Sequence, residues 1–498
     1  MSWDTIVVGG GSAGCVLASR LSEDPGHRVL LIEAGPDFDT QALPEQVEFL
    51  GRGYQWPIEW GETVDSSDGR TLPYLRGRGL GGSSSINGGV AMRAEPPDLA
   101  VWPTGWKWAD MLPWLRRLEN DLDFGDAAWH GDSGPVPIRR WAEADWTPTQ
   151  KAFVEGCVAR GVPLCPDHNA PDTTGVGPIP MNRDGERRLS ALITHLSPAR
   201  ARANLEIRCD TFVRRVLLRT EGAAGARDAE RVAFGVELED GTRLEAGRIV
   251  LAGGVLQSPL LLLRSGIGPA DELRPHGIEP QVDLPAVGHH WTDHMVVQLS
   301  TPIDARWVPR GGPRGLQNLA RLSAPDSPWN NDVQLTPWLE RTAPGAYQLN
   351  VSISLQQPFG ETSLTLRSAR TQDRGRFAWS LPSEPRNFAR LRWAYRESVA
   401  ILEAAGVAGD PEALRRLGDQ SDAELDAWIG AHHGAFYHGV GTCRMGEDDG
   451  AVTDLACCVR GTRGLYVADA STIPRVPRSN THVIVVALAE RVAAALRA

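Results

Sequence analysis

The first apolar run of the chain, Thr5-Ile-Val-Val8, breaks into Gly9-Gly-Gly11-Ser-Ala-Gly14, and a second run, Arg28-Val-Leu-Leu-Ile32, stops at Glu33. Between them Val16, Leu17 and Leu21 recur at helical spacing until Pro25-Gly26. The pattern predicts strand, glycine turn, helix and strand. A strand runs into glycines again at Ile249-Val-Leu-Ala-Gly-Gly254, with an apolar helix from Ser258. Gly464–Asp469 reads as one more buried strand of the parallel type, and Thr481–Arg497 as a closing helix. The middle of the chain differs. Leu205–Leu218 and Ala233–Glu239 alternate as strands, with an acidic turn at Glu239-Asp-Gly241. Gln348–Leu355, Thr362–Leu366 and Arg376–Trp379 alternate likewise. Helices are predicted over Trp106–Glu119, near Phe388–Ala405 and over Asp422–Ile429, and the Gly- and Pro-rich stretches Phe38–Asp68 and Asp132–Pro148 as irregular. The two ends therefore read as α/β, with antiparallel sheet between them.

The glycine turn carries the first chemistry. Gly9 permits the tight turn, Gly11 lets backbone approach a pyrophosphate, and Gly14 lets the helix pack against the strand. The helix N-terminus turns free N–H groups and a positive dipole end toward the phosphates. Glu33, ending the second strand, is placed to accept hydrogen bonds from ribose hydroxyls. This layout predicts a redox dinucleotide and leaves NAD and FAD both open. The small residues from Leu75 to Gly89 cannot make a stable element alone, and suit a backbone laid against a flat ligand.

Bulk properties narrow the class. A chain of 498 residues exceeds one ordinary domain. A formal charge of −11 argues against nucleic acid as a partner. The seven cysteines follow no regular frame, which suggests reduced thiols and a cytoplasmic protein. A strand that begins at Thr5 leaves no room for a signal peptide, and no apolar stretch is clean enough to span a bilayer. The expectation is a soluble chain, with peripheral docking on a membrane left open. No His, Asp or Glu cluster has metal-ligand spacing, so no metal is expected. Ser83-Ser84-Ser85 lacks the elbow of a serine nucleophile.

Three longer segments complete the picture: Arg76-Gly-Arg-Gly-Leu-Gly-Gly-Ser-Ser-Ser-Ile-Asn87-Gly, Gly254-Val-Leu-Gln-Ser-Pro-Leu-Leu-Leu-Leu-Arg-Ser-Gly-Ile-Gly268, and Tyr437-His-Gly-Val-Gly-Thr-Cys-Arg-Met-Gly446. With the N-terminal turn and Val467-Ala-Asp-Ala-Ser471 they resemble the glucose-methanol-choline (GMC) oxidoreductases along the whole chain. The resemblance is choline-dehydrogenase-like. Phe124–Arg139, Ile86–Val90 and His482 are also similar to a mycofactocin-associated branch, a minority reading.

The resemblance implies a Rossmann-type FAD-binding domain over 1–150, 190–294 and 432–498. It implies an α+β substrate domain built on an antiparallel sheet over 151–189 and 295–431. It resolves the cofactor to FAD, held by Gly9, Gly11, Ser12 and Gly14 at the pyrophosphate and Glu33 at the ribose. Gly82, Ser83, Asn87 and Gly88 would line the flavin and ribityl chain, and the Val213 backbone would meet adenine. Asp469 and Ala470 would lie near the pyrophosphate and ring. Some members attach FAD through a His before the Asn; Ile86 stands there, so the FAD is expected to be non-covalent.

For chemistry the resemblance implies oxidation of a small-molecule alcohol to a carbonyl. His438 is the base and hydride passes to flavin N5, with oxygen, a quinone or another redox carrier taking the electrons. Gly439 departs from the Pro usual after this His. Counting back without gaps from Ala489-Glu-Arg491 makes Asn480 the second catalytic group, ahead of His482, which is expected as a polar group of the substrate pocket. Asp293-His294 matches the family's Asp-His pair, with His290 in place of the usual Asn, and reads as flavin-side support. The adjacent His432 and His433 read as a capping or solvated pair. Trp56, Trp60, Trp338 and Trp379 fall in segments expected to face or support the substrate cavity. A flavin-containing lyase of the hydroxynitrile lyase type is the rival reading.

Overall fold

The computed structural model describes residues 2–50, 58–221, 230–309 and 315–498; Trp56 lies outside them. Its first layer is a parallel sheet. In chain order the elements are β1 (Trp3–Val8), α1 (Ser12–Leu21), β2 (Val29–Ile32), β3 (Leu205–Arg208), β4 (Arg243–Leu251), α2 (Gly254–Arg264), β5 (Leu465–Val467) and α3 (His482–Arg497). The strands pair in the order β3-β2-β1-β4-β5, all parallel where they meet. Val8 sits between Ile32 and Leu251. Ile6, Val7, Leu30, Leu31, Ile249 and Val250 are wholly buried, which is why these strands read as unbroken apolar runs rather than alternating ones. The forward half of β4 turns antiparallel to Glu230–Leu238, and that strand to Val213–Glu221.

α3 packs along α1 with Ala487, Ala489 and Ala493 buried near Ala13, Gly14 and Ala18. Small side chains let the two axes approach closely. Arg20 of α1 clasps Glu490 of α3 at 2.8 Å, and His195 reaches the same carboxylate at 3.3 Å. The last helix is thus locked over the first turn of the chain, and its N-terminus is brought to the cavity described below.

The second sheet has six antiparallel strands in the order Gly434–Ala435, Met295–Pro302, Ala346–Leu355, Val333–Ala343, Asn318–Leu322 and Gly175–Pro178. Val297, Leu299, Val351, Ile353 and Leu335 are buried on its inner face, under the helix Pro385–Ala405. The alternate positions Val296, Gln298, Ser352 and Trp338 face a cavity.

Three sequence expectations are corrected. The alternation over Leu205–Leu218 is two strands in different pairings, Leu205–Arg208 and Val213–Glu221. The chain breaks at Asp210, whose φ of 48° is a conformation that Asp tolerates better than most residues. The apolar helix starts at Gly254, not Ser258, because the Asp469 carboxylate accepts the Gly254 N–H at 2.8 Å. Helices Pro148–Ala159 and Pro411–Gly418 fall where none was predicted, each with its proline in the first turn.

Candidate active site

A cavity of about 1090 Å³ opens between the C-terminal edge of the parallel sheet and the outer face of the antiparallel one. Gly9, Gly11, Ser12, Glu33, Gly82, Ser83, Asn87, Gly88, Val213, Asp469, Ala470, His438, Asn480 and His482 all line it. Gly14 does not; it works from below. A Cβ there would lie 1.8 Å from the Gly9 carbonyl oxygen. The positive φ of Gly9, 105°, and the 2.6 Å that a Cβ there would leave to the Ala252 oxygen exclude any side chain from the turn.

The cradle fits FAD on observations of its own. The first turn of α1 carries no acidic residue, so its dipole end is open to an anion. The turn at Gly82 packs face to face with Gly11, and Gly81 N–H bonds the Gly10 carbonyl at 2.8 Å. Two glycine-rich loops therefore meet as one backbone-lined wall. Glu33 accepts N–H groups from Gly10 at 2.7 Å, Gly35 at 2.8 Å and Gly79 at 3.0 Å. It ties both loops together and keeps one of about four acceptor positions for a ribose hydroxyl. Asn87 is anchored through its carbonyl by Arg188 at 2.7 Å, and its side-chain oxygen accepts Gly89 N–H at 3.0 Å. The Asp469 side chain is fully used: Gly254 N–H and the Ser258 hydroxyl on one oxygen, and Ser471 on the other. Asp469 thus ties the Gly254 turn to the turn at Ala470–Thr472, and only its backbone and Ala470 are left to meet a ligand.

Opposite this cradle stands a line of three polar side chains. His438 Nε2 is 3.1 Å from Asn480 Nδ2, and His438 Nδ1 is 3.0 Å from His294 Nδ1. His294 Nε2 is 2.8 Å from the Pro477 carbonyl oxygen. The protons follow from this chain of contacts. A carbonyl only accepts, so His294 Nε2 carries the hydrogen. Burial lowers the His294 pKa to about 4, so the ring is neutral and its Nδ1 bears a lone pair. His438 Nδ1 must then be the donor, which leaves the lone pair of His438 on Nε2, beside Asn480 and the cavity. Burial first, and then the Arg76 cation and coupling to His294, holds the His438 pKa well below the usual imidazole value. Asn480 Oδ1 is buried without a protein partner, as is His482 Nδ1.

The sequence led us to expect Asp293-His294 as flavin-side support; the structure places His294 directly against the candidate base. The Asp293 carboxylate accepts the backbone N–H groups of His294 at 2.6 Å and His438 at 2.8 Å, and the Tyr74 hydroxyl as well. Burial raises its pKa to about 6, against the pull of the Arg76 cation. Of the other histidine pair, His433 is buried on Asp68 at 2.9 Å, and His432 stacks on Trp428 at the cavity edge.

The fold also assembles one trio that sequence spacing concealed: Glu119, Asp121 and His130, all buried. Its acids are held by arginines, Glu119 by Arg93 and Asp121 by Arg140 at 2.9 Å, and Asp167 closes on His130 at 2.9 Å. The cluster reads as a charge-balanced buried network.

The neutral histidines make acid stability a test of this arrangement. His294 and His482 both fall to about 4 through burial, against 6.5 for a free imidazole. The unfolded chain then binds more protons below pH 6.5, so stability present above that pH is lost as it falls toward 4. Each group costs about 2 kcal/mol at pH 5. Thermal melts from pH 7 to 4.5 are expected to fall steeply in the wild type and less in His482→Gln. Parallel curves would contradict a neutral buried His482.

Comparisons with known proteins agree with one another. A family model described as GMC oxidoreductase matches residues 3–296, and a second of the same description matches 358–489. A 5-(hydroxymethyl)furfural oxidase of Methylovorus sp. is 32% identical over 533 residues, covering 99% of this chain and 98% of the relative. An oxygen-dependent choline dehydrogenase of Brucella anthropi is 31% identical, covering 96% and 93%. The crystal structure of pyridoxine 4-oxidase from Mesorbium loti superposes with a TM-score of 0.83 at 29% identity, covering 100% of this chain and 99% of that one. Among the described residues no helix is long and apolar enough to cross a membrane.

Proposed function

The chain belongs to the GMC oxidoreductase family of FAD-dependent enzymes acting on CH–OH donors, and from that premise we propose that His438 is the base of an alcohol oxidation whose second group is Asn480. The observation that carries this reading is the contact of His294, itself held by Pro477, with His438 Nδ1, which leaves Nε2 beside Asn480 at the cavity as the acceptor. The substrate hydroxyl gives its proton to that nitrogen. Asn480 holds the same oxygen, with Nδ2 and Oδ1 both near the site. FAD, when bound, supplies the acceptor for the hydride of the carbinol carbon. Gly82, Ser83, Asn87 and Gly88 hold its flavin end, and Gly9, Gly11, Ser12 and Glu33 its diphosphate and ribose. Ile86 offers no nucleophile to the ring, so the cofactor is held without a covalent bond. The names of relatives acting on hydroxymethylfurfural, choline and pyridoxine support primary alcohols as the first substrates to try.

The test is an anaerobic titration of the yellow enzyme with a panel of primary alcohols. Loss of flavin absorbance with formation of one equivalent of aldehyde is expected. Turnover of a cyanohydrin without bleaching by any alcohol would instead select the lyase reading. Air or a quinone added to the bleached enzyme then identifies the electron acceptor.

A further inference from the structure

Tyr437, the residue before the candidate base, has a φ of 64°. A bulky residue holds that left-handed conformation only when its surroundings impose it. Two contacts grip the peptide that follows. Arg76 Nη1 donates to the Tyr437 carbonyl oxygen at 2.7 Å, and the His438 N–H donates to Asp293 Oδ1 at 2.8 Å. The two grips are joined to each other. The Tyr74 hydroxyl donates to Asp293 Oδ2 and accepts from Arg76 Nη2 at 2.8 Å, while the Arg76 guanidinium lies 4.5 Å over the Tyr74 ring. Tyr74 and Asp293 are completely buried. Gly439 is what admits Tyr74. A Cβ there would lie 2.4 Å from the Tyr74 hydroxyl and 2.5 Å from Trp291 Nε1. The glycine that departs from the family pattern thus gives its space to the tyrosine.

We propose that Arg76, Tyr74 and Asp293 form a clamp that holds the Tyr437–His438 peptide in its strained turn and so aims the His438 ring. The three are positioning residues: Arg76 and Asp293 reach the backbone of the loop and Tyr74 joins them, while the His438 ring contacts His294 and Asn480. The inference rests on His438 being the base.

Stopped-flow reduction of the FAD-loaded enzyme by a saturating alcohol separates rate from binding. Tyr74→Phe removes the hydroxyl that joins the grips. The reduction rate is expected to fall about five- to tenfold, with FAD content and alcohol Kd unchanged. Glycine adopts positive φ at little cost, so the same substitution made in a Tyr437→Gly background is expected to lose less. Asp293→Asn keeps an oxygen for the His438 N–H and is expected to retain more activity than Asp293→Ala, which covers the case of Tyr74→Phe failing to fold. A wild-type rate in Tyr74→Phe, an equal loss in both backgrounds, or equal rates for the two Asp293 variants would overturn the clamp. Failure of the base reading is a separate result: His438→Ala would then reduce at the wild-type rate.

Discussion

His438→Ala is expected to slow flavin reduction by an alcohol about 10²- to 10⁴-fold, the range that a positioned general base contributes, while the protein stays yellow. The two halves of that expectation come from different parts of the fold. The proton acceptor is one nitrogen, His438 Nε2, and among the described residues no other side chain meets both Asn480 and the cavity from that position. FAD retention follows because the cradle is built from the β1–α1 turn, the 77–89 loop and the Gly253–Gly254 turn, none of which hydrogen-bonds the His438 side chain. The pH dependence sharpens the test. The His438 pKa is held well below 6.5 by burial first and then by His294 and Arg76. The base is therefore free at and below neutrality, and the acid limb of kcat/KM in the wild type is expected below pH 6.5. Single-turnover absorbance at the flavin band measures the rate, and released FAD fluorescence measures retention. A variant that reduces normally, or one that loses FAD in proportion to activity, would remove His438 from the mechanism.

What was legible in the sequence had local causes. A strand buried on both faces must be apolar throughout, and a turn at positive φ beside a backbone oxygen must be glycine; β1 and Gly9 therefore announce themselves within a dozen residues. His438 and Asn480 were legible only through the family resemblance, since nothing near them in the chain says which atoms they meet. What was missed is long-range. His294 and His438 are 144 positions apart, and the tautomer that they fix also requires Pro477. The Tyr74–Asp293 contact spans 219 positions. Alternation could not report the break at Asp210 either, because the periodicity carries on through Val213 in a different pairing. Gly439 departs from the family's Pro, and only the packing of Tyr74 and Trp291 around it gives the departure a reason.

The His294 relay yields the second large effect. His294→Leu preserves bulk in a fully buried site and removes both the acceptor for His438 Nδ1–H and the donor to Pro477. The His438 ring is then free to carry its hydrogen on Nε2, where a lone pair is needed, or to turn away from Asn480. Flavin reduction is expected to drop about 10- to 100-fold. His294→Gln discriminates this from a packing defect. A glutamine offers one oxygen to accept from His438 and one amide N–H to give to Pro477, so it can reproduce both contacts without an imidazole. It is expected to keep its rate within about tenfold of wild type. The two variants should differ in rate far more than in melting temperature. If Leu and Gln reduce flavin equally well, the tautomer is set elsewhere. If Gln falls as far as Leu while remaining folded and yellow, His294 acts as an imidazole, taking the Nδ1 proton from His438 during turnover rather than merely directing it.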